Sequence, residues 1–164
     1  MNARRVLRAA AMILVALALL ACVGAFIGAS MGLFTGKRPA GLGFADGRFK
    51  TPPAWTPNWV SSTVAQDDKH YIAPFDAGSD RAKAWAALGA AIESTPGATI
   101  VRRDPGYLHV EFASSVMGFV DDGEFQVDPG GKVIHVRSAA RLGVRDFDVN
   151  RKRVERLRGA LPRG

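Results

Sequence analysis

Cysteine is nearly missing from this 164-residue chain: Cys22 stands alone, so no internal disulfide can form and nothing beyond it has a thiol to oxidise. Acidic residues are missing from the first 39 positions, where Arg4, Arg5, Arg8, Lys37 and Arg38 give a charge of +5, and residues 40–164 carry only +2 of the net +7. The basic excess therefore lies outside the folded part, which argues against a nucleic-acid binder, whose basic footprint lies on its globular domain. There is no internal repeat and no second long apolar run, and the composition excludes a collagen-like repeat, a polytopic membrane protein and, with 48% hydrophobic residues, disorder. G-x-S-x-G, P-loop, G-x-G-x-x-G and H-E-x-x-H patterns are all lacking, so no motif requires a cofactor.

What is present begins with 26 uncharged residues from Ala9 to Phe34, longer as a helix than the roughly 30 Å apolar core of a bilayer. Three arginines precede it. The positive-inside bias then predicts a cytoplasmic tail at 1–8, a transmembrane anchor at 9–34 and everything beyond outside the cytoplasm, in a single-pass protein of the cytoplasmic membrane. Two alternatives involve cleavage: Val23-Gly24-Ala25 as a signal-peptidase site, and Leu19-Leu20-Ala21-Cys22 as a lipobox that would lipidate Cys22. Gly24, Gly28, Gly32 and Gly36 recur every four residues, which predicts a small-residue stripe able to support a weak homodimer in lipid.

Eight Gly or Pro residues between Gly36 and Pro57 predict a tether at 35–56, with Phe44, Phe49 and Trp55 held against the domain because they are costly to expose. An α+β domain follows at 57–164. A helix from about Asp80 to Glu93 has Ser79 or Asp80 as its cap, Trp85, Leu88 and Ile92 on one face, and Pro96-Gly97 at its end. Alternating segments at Thr99–Arg103, Tyr107–Ser114, Phe119–Val127 and Val133–Ala139 are separated by turns such as Asp104-Pro105-Gly106. A last helix, about Asn150 to Leu161, buries Val154, Leu157 and Leu161. The expectation is an antiparallel four-stranded sheet with two helices packed on one face, behind the N-terminal transmembrane helix.

Pairing Leu108 with Phe125 and Phe125 with Ile134 sends Leu108, Val110, Phe112, Phe125, Val127, Ile134 and Val136 to the core face. The opposite face, expected to be open to solvent, then carries two rows: His109, Glu124 and His135, and Glu111, Asp122 and Arg137. The first row has the residue types of a two-histidine, one-carboxylate metal site. On a flat solvated face, cross-strand pairing of charges is the simpler expectation, so no metal is assigned. Ser61 or Ser62 beside a histidine is a weaker nucleophile reading. Asp121 falls on the helix-covered face opposite Ser138, where a carboxylate must find a partner; Arg141, Arg145 and Arg151 are the candidates.

Pro57-Asn58-Trp59-Val60-Ser61-Ser62, His70 to Phe75, Gly118-Phe119-Val120-Asp121-Asp122, Val136 to Arg141 and Asn150 to Glu155 together resemble the bacterial domain of unknown function numbered fourteen ninety-nine, from about Leu33 to Leu161. That resemblance implies an uncharacterised envelope protein and no known activity, cofactor or catalytic residue. Where the family often reads C-P-x-x-P-N-C-V-S-S, Pro53 and Trp59 replace the cysteines; their joint loss implies that the two would otherwise pair. The matched Asp121, Arg137, Ser138, Arg141, Asn150 and Arg151 form the candidate ligand-binding cluster. The functional expectation is a membrane-anchored envelope module binding an anionic lipid, glycan or partner protein through that cluster; the alternative is a metal-dependent or hydrolytic enzyme using His109, Glu124 and His135.

Overall fold

A computed structural model describes residues 3–162. Helix α1 (Ala3–Ser30) is one unbroken apolar rod, with a mean hydropathy of 2.8 in its most apolar window, long enough to cross a membrane. The chain then forms a small hairpin of β1 (Phe44–Ala45) and β2 (Arg48–Phe49), followed by β3 (Trp59–Ser61), β4 (Phe75–Asp76) and helix α2 (Arg81–Glu93). Four longer strands complete the sheet: β5 (Ala98–Asp104), β6 (Tyr107–Ala113), β7 (Val120–Val127) and β8 (Val133–Ala140). Helix α3 (Val149–Gly159) ends the domain.

The main sheet has six strands, not the expected four. Its order is β3-β8-β7-β6-β5, with β4 also antiparallel to β8. Strands β3 and β4 run to three and two residues, too short for the alternation that identifies a strand in sequence. They share one flank of β8, Trp59 opposite Ala139 and Phe75 opposite Ile134. Val60 and Phe75 join the core from this flank, while Trp59 is buried against His70.

Asp80 caps α2 as expected, its Oδ1 accepting from Lys83 N at 2.9 Å. Leu88 and Ile92 of α2 and Val154 and Leu157 of α3 pack with Leu108, Val110, Phe125, Ile134 and Val136 in one core on the helix side of the sheet. Each such aliphatic or aromatic side chain stabilises the domain by about 1.5 to 3 kcal/mol.

The register is as expected between Leu108 and Phe125, but Phe125 lies opposite Val136, not Ile134. Val127 pairs with Ile134, so the turn occupies 128–132, closed by Asp128 N donating to Val133 O at 3.0 Å. A two-residue slip leaves every side chain on its expected face, which is why the core set survives while the cross-strand rows change.

Three further expectations are corrected here. Trp55 is 70% exposed, whereas Phe49 is buried and Phe44 lies edge-on to it and stacked on His135. Residues 38–50 do not hang free: they lie across the polar face of the sheet, so that face is covered and not open. The glycine stripe is broken, because α1 ends at Ser30. Gly32 and Gly36 take left-handed turn conformations (φ 71° and 66°), and the Cα of Gly28 faces the ring of Phe34 from its own chain.

Candidate functional site

Adjacent strand residues point to opposite faces, so the expected cluster divides in two. On the helix side, Asp121 Oδ2 accepts from Arg153 Nη2 at 2.6 Å. Arg153 Nη1 also donates to Asn150 Oδ1 and Ser138 Oγ, and its guanidinium lies 4.5 Å over the Phe112 ring. Asn150 reaches back to the carbonyl of Asn58 and to Asp146. Arg153 is therefore the partner, not Arg141, Arg145 or Arg151; it was legible only as the residue one turn after Asn150 on the same helix face. Ser138 lies opposite Gly123, and Asp121 opposite Ala140, again by the two-residue slip. Arg151 stands apart, donating to Lys69 O at 3.0 Å. Burial pushes the Asp121 carboxyl above its ordinary range, and the pull of Arg153 does not fully offset it.

On the opposite side Arg137 and Arg141 belong to a second, buried polar layer. Arg141 Nε and Nη2 clasp both oxygens of Asp122 at 2.7 Å, while His109 Nε2 lies 2.7 Å from Asp122 Oδ1. Burial works against the Asp122 charge, but these hydrogen bonds outweigh it and hold the carboxyl at about 2. The same bonds raise the Arg141 guanidinium. Glu111 sits between Arg38 and Arg141, which lower it against the effect of burial. Glu124, fully buried, accepts from Gly43 N, Tyr107 OH and Arg137 Nη1. Burial first and then the Glu124 charge push the Tyr107 phenol up. His109, Asp122, Glu124 and Tyr107 in this layer were not expected to be buried, because nothing in the strand pattern reports that a tether will lie over it.

The expected His109, Glu124 and His135 row does not form. Arg137 takes the third place, opposite Glu124, and His135 lies opposite Gln126. Among the described residues no group of three His, Cys, Asp or Glu side chains is arranged to hold a metal ion. His135 instead approaches Ser62: Oγ to Nδ1 is 3.3 Å, with Asp128 Oδ1 3.8 Å from Nε2. The second distance exceeds a hydrogen bond, and Ser62 Oγ already accepts from Val136 N at 2.9 Å. His70 is a structural residue, stacked on Trp59 at 3.9 Å with its nitrogens on Asp68 Oδ1 and Thr56 O. Trp59 Nε1 donates to Pro53 O at 3.3 Å, so the two positions that the resemblance marks as cysteines are neighbours.

Two hollows adjoin the polar layer. An open groove of about 1,070 Å³ runs between the β1–β2 hairpin and the β5–β6 turn. A smaller cavity, about 250 Å³, lies where the covering segment crosses β7 and β8; Leu42, Lys50 and Pro52 form one wall, and Asp122, Arg137 and Ala139 the other.

The described residues thus form an apolar helix of membrane-spanning length followed by an α+β unit with an ionic layer under its covering segment. Residues 50–161 match the model of the family described as a protein of unknown function, DUF1499, and the chain belongs to that family. The match runs from just before β3 through α3 and leaves α1 and the β1–β2 hairpin outside. No curated protein and no solved structure matches the chain.

Proposed function

We propose that this chain is a single-pass membrane protein of the cell envelope whose domain lies outside the cytoplasm, rests on the bilayer surface, and binds an anionic ligand without catalysing a reaction. The observation that carries the reading is the seam between helix and domain. Phe34, the last residue of the apolar stretch, packs on Phe119 of the β6–β7 loop with ring centroids 5.4 Å apart, and Gly118 lies against Ala29. Gly36 abuts Arg141 and Leu142 in the same way. The domain is thus seated against the end of its apolar helix.

Apolar residues exposed at that seam support the same conclusion. Val116 is 79% exposed, and Phe119, Leu142 and Leu33 are open to solvent around it. A bilayer interface covers such a patch at no cost in unpaired backbone, since the loop tip presents side chains. Arg4, Arg5 and Arg8 before the span favour an inside N-terminus. A binding role, not an enzymatic one, fits a layer whose carboxylates are already held by Arg38, Arg137 and Arg141.

The test uses single cysteines in a Cys22→Ser background. A polarity-sensitive dye at Val116→Cys should be blue-shifted in liposomes and quenched by brominated lipid. In intact cells Lys83→Cys, on exposed α2, should react with a membrane-impermeant thiol reagent. An aqueous spectrum at position 116 refutes the seated domain, and protection of position 83 refutes the outward topology.

A further inference from the structure

Within the polar layer one charged side chain keeps unused hydrogen-bonding capacity. Arg137 is 4% exposed. Its guanidinium carries five N–H donors and stays charged at any pH the protein meets. Nη1 donates to Glu124 Oε2 at 2.9 Å. Nε has no acceptor among the described residues and is closed off from bulk water, so a ligand in the neighbouring cavity pairs with it only if the guanidinium shifts. An unpaired buried donor costs about 1 to 3 kcal/mol, and more when charged, so a fold retains one where something else pairs it.

We propose that the cavity beside Arg137 is a binding site for a small carboxylate with a compact apolar body, the carboxylate lying along the Nε and Nη2 edge of the guanidinium. This inference rests on the reading of the domain as an anion-binding module and names its ligand class. Two parallel N–H donors on that edge match the two oxygens of a carboxylate. Lys50 stands in the wall and, among the described residues, has no ion-pair partner, so it adds a second cation at the rim. Apart from Thr51 the remaining walls are apolar, Pro39, Leu42, Pro52 and Ala139 among them, and suit hydrocarbon. Asp122 also lines the cavity, but both of its oxygens are held by Arg141, and His109 shares one of them. Its charge is therefore neutralised where the ligand approaches.

Size and charge narrow the class. At about 250 Å³ the cavity is below the roughly 300 to 1,000 Å³ typical of pockets for drug-sized ligands. One guanidinium edge and mainly apolar walls satisfy the two oxygens of a carboxylate. A phosphate would be left with acceptors facing hydrocarbon, which is unfavourable.

The experiment takes the full chain in uncharged detergent and titrates isovalerate, acetate, inorganic phosphate and isoamyl alcohol. The readout is the NMR signal of the Arg137 Nε–H, assigned by its loss in Arg137→Lys, together with the melting temperature. Isovalerate should shift that signal saturably and bind more tightly than acetate, with the alcohol and phosphate inert. Leu42→Trp, which fills the cavity from the wall opposite Arg137 and leaves Arg137 itself unchanged in sequence, should weaken isovalerate by about tenfold or more. Lys50→Gln should weaken it by about two- to threefold. No shift with any probe, with the signal behaving as an N–H paired to a buried water, overturns the site. So does an isovalerate response that Leu42→Trp leaves intact. A phosphate response stronger than that of isovalerate overturns the ligand class. Because dye burial at position 116 is measured separately, loss of carboxylate binding with that burial intact refutes this site alone.

Discussion

Asp122→Asn isolates the central charge of the polar layer. Asp122 receives Arg141 through two hydrogen bonds at 2.7 Å and His109 through a third, and its carboxyl is held at about 2 against an ordinary 3.8. At roughly 1.4 kcal/mol per pH unit that difference corresponds to about 2 kcal/mol. Removing one partner of a buried pair typically costs about 3 to 5 kcal/mol, but Arg141 would keep Glu111, which places the expected loss at about 2 to 3 kcal/mol at pH 7. The dependence on pH follows from the sign of the shift. A depressed carboxyl stabilises the fold fully above its unfolded value and loses that contribution as pH falls through the folded one. The wild type should therefore converge on Asp122→Asn between about pH 4 and pH 2, the difference falling below about 1 kcal/mol at pH 2. Asp121, raised chiefly by burial, has the opposite sign; the Asp122 charge is the smallest of the causes that raise it, so little of that contribution differs between the two proteins. Urea unfolding of the full chain in detergent, followed through the buried Trp59, measures the difference at each pH. A deficit under about 1 kcal/mol at pH 7, or one unchanged at pH 2, would refute the assignment of Asp122 as a buried ionised node.

On the helix side, Asp121→Ala should cost about 3 kcal/mol by stranding Arg153, while Asp121→Ala with Arg153→Met should recover most of it in the same unfolding assay. Additive losses would mean that the pair is not coupled. Gly123→Ala should lower the melting temperature, with a cost of about 1 to 3 kcal/mol, because its Cβ would stand 2.6 Å from Phe112 Cε2 in a packed core. Gly89→Ala in α2, whose nearest neighbour is 3.8 Å away, should raise it, by up to about 1 kcal/mol. Equal shifts in the two variants would show that Phe112 yields.

Local chemistry alone announced several parts of this protein. The uncharged stretch before Lys37 reads as a helix of membrane-crossing length because length and apolarity suffice for that. Asp80 and Pro96-Gly97 bracket α2 because capping and helix breaking act within a turn. The core set Leu108, Val110, Phe112, Phe125, Ile134 and Val136 follows from alternation, which tolerates a two-residue slip. Partners across the sheet do not tolerate it, so the His109 row dissolved and Arg137 moved beside Glu124.

Only the tertiary structure decided that residues 38–50 cover the polar face and turn an apparently solvated surface into a buried ionic layer. Gly43 N on Glu124 and Arg38 on Glu111 join residues 81 and 73 positions apart. A Gly- and Pro-rich segment has no periodicity from which its path can be read. The same is true of Arg153, chosen over three other arginines by the face that α3 turns to the sheet, and of Gly32 and Gly36, removed from the glycine stripe by the end of α1 at Ser30. Hydropathy and alternation say which apolar residues must be buried, and that any buried charge needs a partner, since both depend on the side chains' own hydration. Which partner they meet depends on chain reversals between elements, and those are set by the packing of the whole domain.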